Sequence, residues 1–208
     1  VEKTKKIIVQ TIEDFVKKRL KQEGSGHDWW HIDRVRKNAL LIGKHEEEVN
    51  MFIVETAALL HDLIDDKLSN EIKLEVADVK NLLIELEVDN NEMDEILSII
   101  ENISFRKHIS AGQLSLEAKI VQDGDRLDAI GAIGIARTFA FAGSRGNVIY
   151  DPEGLDLSNA IQHFYDKLLK LKELMNTKTG KLLAEERHQY LEGFLEQFLT
   201  EWNGPKKI

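Results

Sequence analysis

The sequence contains no cysteine, which excludes a disulfide framework and thiolate metal ligation and fits a reducing compartment. Two prolines in 208 residues are too few to interrupt long helices. No apolar run approaches the roughly 20 residues that a membrane span needs. The opening residues VEKTKK lack a signal-peptide core, so the expectation is a cytoplasmic protein with no membrane partner. The missing initiator methionine is read as a processed or recombinant start. Positive charge is also scarce: 28 Lys and Arg stand against 37 Asp and Glu, a net charge of −9. That balance argues against nucleic-acid binding through a broad basic face. It leaves room for a small basic cluster around one anionic ligand.

What is present is helix-forming. Leu, Ile, Ala, Glu and Lys dominate, and the 42% hydrophobic and 31% charged content is that of an ordinary globular chain. Ile7, Ile8, Ile12, Phe15, Val16 and Leu20 form a first amphipathic stripe. A second helix is expected from Trp29 to Lys44, capped by Asp28 or Ser25. A third is expected from Val49 to Ile64, followed by helices through VADVKNLLIELEV and from Met93 to Ile103. The stretch from Ser115 to Gly143 reads as one long helix or two abutting ones, with Ala129, Gly131, Ala132, Gly134 and Ala136 as a small-residue face. After the loop GSRGNVIYDPEGLD, two helices are expected at Ser158–Met175 and Lys181–Trp202. The expectation is an all-α fold, one domain over residues 1–208, with the motifs below inside 26–130 and the C-terminal helices within 156–203.

The stretch ETAALLHDLIDDK, Glu55 to Lys67, breaks an apolar helical run with an imidazole and three carboxylates. Adjacent side chains on a helix diverge by about 100°. His61 and Asp62 can still converge on one ion beyond the helix end, and Asp65 and Asp66 follow each of them by four residues. Two further stretches offer ligands. GHDWWHIDRV holds His27 and His31, and VQDGDRLDAIGA holds Asp123, Asp125 and Asp128 at an expected helix start. A His, a His-Asp pair and a distant Asp make a mixed nitrogen and oxygen shell. It suits manganese, magnesium, iron, nickel or zinc with positions left for water. Such an ion serves phosphoester or phosphoanhydride hydrolysis.

With HDWWHIDRV, ALLHDLIDDK and DGDRLDAIGAIGIAR in this order, the sequence resembles the HD-domain metal-dependent phosphohydrolases. Within them it resembles more narrowly the small bacterial branch containing nucleotide pyrophosphohydrolases. The resemblance implies a helical bundle of the HD type and one divalent ion, with manganese or magnesium favoured for activity. It implies His31, His61, Asp62 and Asp125 as ligands, with Asp123 as the fallback for Asp125. It implies Asp65 and Asp66 as the acidic pair that orients the attacking water or takes its proton. The implied substrate is a nucleoside or deoxynucleoside triphosphate, cut to monophosphate and pyrophosphate. The branch commonly carries Ala where Gly124 stands, a departure expected to affect only local backbone freedom.

Basic residues near these motifs are candidates for phosphate: Lys67 after the acidic pair, Arg106 and Lys107 in ISFRKH, and Arg126 and Arg145. Arg126 has a structural alternative in pairing with Asp123 or Glu117, and Arg137 is a further candidate. His108 is a second-metal candidate on the resemblance. Trp29 and Trp30 read as a core anchor and an exposed neighbour, or as a stacking surface for a base. The stripe Leu182, Leu183, Tyr190, Leu191, Phe194, Leu195 and Phe198 is core or the face of a homodimer. Rival functions are a nucleotidase or phosphodiesterase on the same metal site and a non-catalytic nucleotide-binding module.

Overall fold

The computed structural model describes residues 2–21, 28–65, 68–69, 71–103 and 111–204. Among the described residues there are nine α-helices, two 3-10 segments and no strand, so the expected all-α fold is the observed one. The chain divides into two compact units, residues 1–125 and 126–208.

In the first unit, α1 (Glu2–Arg19), α2 (Trp29–Gly43) and α5 (Asn90–Asn102) surround α3 (Met51–Leu60), while α4 (Val76–Glu85) packs on α5. The sequence of α3, MFIVETAALL, explains its place. A helix that is apolar on nearly every face has to be buried on every face. Val54, Ala57, Ala58, Leu59 and Leu60 are all sealed from solvent. Helices α1 and α2 bury one stripe each, Ile12 and Val16 on the first, Ile32, Val35, Ala39 and Ile42 on the second. Truncating a core leucine of this kind, such as Leu59 to Ala, costs about 2–5 kcal/mol.

The third helix stops at Leu60, short of the expected Ile64. Hydrogen bonds of the tighter i to i+3 type take over, Leu63 N to Leu60 O at 3.1 Å and Asp65 N to Asp62 O at 3.0 Å. The chain then returns so that Leu74 N donates to Leu63 O at 2.7 Å, and the Arg19 guanidinium holds the carbonyls of Ile72 and Lys73.

Helix α6 (Leu116–Asp128) carries Asp123, Asp125 and Asp128 in its second half, not at its start as the sequence suggested. The stretch that read as one helix or two is two. Helix α7 (Gly131–Ser144) begins with Gly131 at φ +74°, a conformation that interrupts a helix and that glycine adopts without strain.

In the second unit α7 packs on α8 (Ala160–Asp166) and α9 (Lys178–Trp202). The helix expected at Ser158–Met175 ends instead at Asp166, and Leu168–Leu174 continues as a 3-10 segment. Buried Leu168 and Leu171 are three residues apart, the spacing that stays on one face in a 3-10 turn. An aromatic cluster joins Phe139, Phe164, Phe194 and Phe198, with Phe164 stacked on Phe194 at 5.7 Å between ring centres. The buried face of α9 is Gly180, Ala184, His188, Leu191 and Leu195. Leu182 and Tyr190, expected in the same stripe, point outward at 74% and 58% exposure because they lie on a different helical face. No described helix is long and apolar enough to cross a membrane.

Candidate metal centre

The end of α3 sets His61 and Asp62 at the edge of the core, where backbone bonds of the helix run out and side chains can turn to a common point. His61 Nδ1 lies 2.8 Å from the Ala58 carbonyl. A carbonyl only accepts, so Nδ1 carries a proton, which in the neutral imidazole leaves the Nε2 lone pair for a ligand. That Nε2 is sealed from solvent and has no hydrogen-bonding partner among the described residues.

His31 comes to the same point from α2. Its Nε2 is 3.1 Å from one Asp62 oxygen, and His61 Nε2 is 3.4 Å from the other. The two imidazoles meet edge to face with ring centres 5.4 Å apart. One donor atom from each of His31, His61 and Asp62 lies within 4.8 Å of the others, and all three residues are buried. Asp125 closes the group from α6, its Oδ1 at 3.5 Å from His31 Nε2 and 3.9 Å from His61 Nε2. Its side chain is 36% exposed while the other three are nearly sealed, so Asp125 marks the solvent side.

Two imidazole nitrogens close to two carboxylates, one nitrogen sealed and unsatisfied, form a donor set that a divalent ion would complete. A buried polar atom without a partner costs about 1–3 kcal/mol, and coordination would remove that cost. The residues present therefore fit a hard or borderline divalent ion.

Helix α6 reaches this point because of Gly124. A Cβ there would lie 3.0 Å from the Val35 carbonyl and 3.1 Å from Ala39 N on α2. The absent side chain thus permits close contact between α6 and the helix that bears His31, a larger effect than the backbone freedom expected for it. Asn38 Nδ2 donates to the Gly124 carbonyl at 3.2 Å and fastens the crossing. The glycine in QDGDR was visible in the sequence, but its partner on α2 was not.

The other candidates are distributed as follows. Asp123 is fully buried, and as the residue two before Asp125 it projects from nearly the opposite side of α6. Asp128 is held by Arg137 Nη1 at 2.9 Å. Asp65 is partly buried just after the His-Asp pair, with its N–H on the Asp62 carbonyl. The Arg126 guanidinium donates to the Leu174 carbonyl, and Glu117 accepts from Asn50 N at 2.8 Å. Arg145 lies over the Phe141 ring at 5.4 Å. Trp29 lies under the Lys17 ammonium at 4.7 Å, and Trp30 is 63% exposed. His27, Asp66, Lys67, Arg106, Lys107, His108 and the alternative cap Ser25 lie outside the described residues.

A separate polar cluster, which the sequence reading did not anticipate, ties α1, α2 and α3 together. Arg36 reaches Glu13 at 2.8 Å and Glu55 at 2.7 Å, and Lys17 pairs with Glu13. Burial would raise the Glu13 carboxyl, but Lys17 and Arg36 outweigh it and hold it below the usual glutamate range. Burial likewise lowers the Arg36 guanidinium, and Glu55 and Glu13 reverse this, so its net shift is upward.

Residues 29–130 match the HD domain model. Bacillus subtilis YpgQ is 46% identical over 190 residues, 90% of each chain. The crystal structure of YpgQ in complex with ADP superposes with a TM-score of 0.83, 42% identity and coverage of 95% of this chain and 96% of that one. An HD-superfamily hydrolase from Bacillus thuringiensis superposes with a TM-score of 0.79 at 46% identity, covering 97% of this chain and all of that one, 100%. A mimivirus protein, L803, is 28% identical over 185 residues, 71% of this chain and 76% of its own.

Proposed function

This chain belongs to the HD-domain family, and from that premise we propose that it hydrolyses nucleoside or deoxynucleoside triphosphates to monophosphate and pyrophosphate with a divalent metal ion. The observation that carries the reading is the convergence of His31, His61, Asp62 and Asp125, with His61 Nε2 buried and unsatisfied. These four residues would hold the ion. When bound, a divalent ion acidifies water and draws charge from phosphoryl oxygens.

The chain's own residues supply the rest. Asp65, one short turn beyond Asp62, orients the water and takes its proton, with Asp66 as its neighbour in the role. The water oxygen bonds to the α-phosphorus, the bond to the bridging oxygen of the β-phosphate breaks, and pyrophosphate leaves with that electron pair. Lys67, Arg106 and Lys107 are the proposed phosphate contacts. The other basic candidates, Arg126 and Arg145, are engaged by the Leu174 carbonyl and the Phe141 ring. Three sealed ligands and one exposed one leave the Asp125 side as the approach for substrate.

The crystallisation of YpgQ with ADP supports a nucleotide ligand and favours a second reading, release of inorganic phosphate from the end of the chain. One assay separates them. Nucleoside triphosphates are incubated with manganese, magnesium or a chelator, and monophosphate, phosphate and pyrophosphate are quantified separately. Metal-dependent monophosphate with equimolar pyrophosphate is the expected result. Phosphate alone moves the cut to the terminal group, and turnover that survives chelation removes the metal from the chemistry.

A further inference from the structure

The four converging residues differ in how their backbone is held. His61 and Asp62 follow a helix whose last five residues are all buried, and Asp125 lies well inside α6. His31 alone of the four sits in the first turn of a helix, as the third residue of α2. The leading N–H groups of a helix have no partner within it, so a first turn frays unless something outside holds it. Asp28 does this directly. With extended backbone (φ −75°, ψ 173°) it precedes Trp29, and its Oδ1 accepts from His31 N at 2.8 Å. Its carbonyl accepts from His31 N at 3.1 Å and from Ile32 N at 3.3 Å. Trp29, between cap and ligand, is pinned beneath Lys17, which in turn is paired with Glu13.

We propose that Asp28 is a positioning residue for the metal centre: by capping α2 on the N–H of His31 itself, it fixes the direction in which the buried His31 imidazole presents Nε2 to Asp62 and Asp125. The inference rests on the metal reading above. Its consequence is that removal of a cap, normally a matter of stability alone, here also weakens metal binding.

The test measures Mn2+ affinity by electron paramagnetic resonance, and thermal unfolding in chelator, for the full chain and three variants. Asp28→Ala removes the cap, Asp28→Asn keeps a cap-competent oxygen, and Thr177→Ala removes a similar cap from α9, where Thr177 Oγ1 accepts from Gly180 N at 2.9 Å. Asp28→Ala is expected to weaken Mn2+ binding about 10-fold, the scale of losing a group that orients a ligand. Asp28→Asn restores affinity to within about threefold, because Asn and Asp cap comparably. Thr177→Ala lowers the melting temperature and leaves affinity unchanged. Wild-type affinity in Asp28→Ala overturns the proposal, and so does equal weakening by Thr177→Ala or failure of Asn to rescue. Should Asp28→Ala not fold, unchanged Mn2+ affinity in Asp28→Gly, a weaker perturbation at a cap, would overturn it equally. A wild-type chain that binds no Mn2+ sinks the metal reading itself and is told apart by that result.

Discussion

Arg36 and His31 stand five residues apart on α2, and each looks into a different kind of polar cluster. Around Arg36, two cations and two carboxylates meet, and Glu13 and Glu55 are each paired at hydrogen-bonding distance. Around His31, two imidazoles and two carboxylates meet, and one imidazole nitrogen is sealed with no partner among the described residues. The first cluster is complete as the chain folds. The second gathers imidazole nitrogens and carboxylates in a buried site, an arrangement that a bound cation would stabilise. Charge at the edge of a core thus has two meanings here, and the balance of donors and acceptors tells them apart.

Removing a member of the incomplete cluster is expected to have the largest effect. His61→Ala and Asp62→Ala should lose metal and activity together, with affinity falling more than about 100-fold, beyond the range for groups that only orient ligands. Calorimetric metal titration alongside turnover checks this, and an Asp62→Ala protein that is metal-free and fully active would refute it. The complete cluster should behave in the reverse way. Arg36→Ala removes the cation that Glu13 and Glu55 share, at a cost of about 3 kcal/mol, the low end for a buried pair because the Arg36 side chain is 20% exposed. Denaturant unfolding measures that loss, and Mn2+ affinity of the folded fraction should stay near wild type.

A smaller change separates holding the ion from using it. Asp65→Asn should keep metal and lose about 100-fold in rate, read by single-turnover kinetics with Mn2+ binding measured in parallel. Weaker metal binding in that variant would make Asp65 a ligand instead.

The smallest effect is in pH. Glu13 titrates below its unfolded value of about 4.3. Between the two values the unfolded chain binds more protons, so the contribution of Glu13 is complete above the unfolded value and is lost as pH falls through the folded one. Glu13→Gln should therefore be less stable than wild type at pH 6, with the gap closing as pH falls toward 3. Melting curves across that range test it, and a gap that does not change with pH would show that Glu13 acts by packing alone.

The His-Asp pair, the histidine of the WHIDRV stretch and the aspartate of DGDRL could be read from the sequence because metal chemistry restricts residue types so sharply. Their apolar surroundings added contrast. The helices with strong three- and four-residue periodicity, α2 and α5 among them, were legible for a similar reason: burial of one face writes a stripe. What could not be read depends on partners distant in sequence. Gly124 acquires its meaning only against Val35 and Ala39. Arg36 looked like one of many surface charges until Glu13 and Glu55 surrounded it. The division between Asp125 and Arg126 left no linker signal because it falls inside a continuous helix. The 3-10 segment at Leu168–Leu174 was mistaken for α-helix because a period of three and one of 3.6 diverge little over seven residues.

The central claim is that the incomplete cluster is a metal site, and a crystal of the wild-type chain grown with Mn2+ tests it most directly through anomalous scattering at the manganese edge. The account predicts one strong peak within coordination distance of His31 Nε2, His61 Nε2 and the carboxylates of Asp62 and Asp125. A well-ordered cluster with no peak among these four residues, at a manganese concentration that supports turnover, would contradict it.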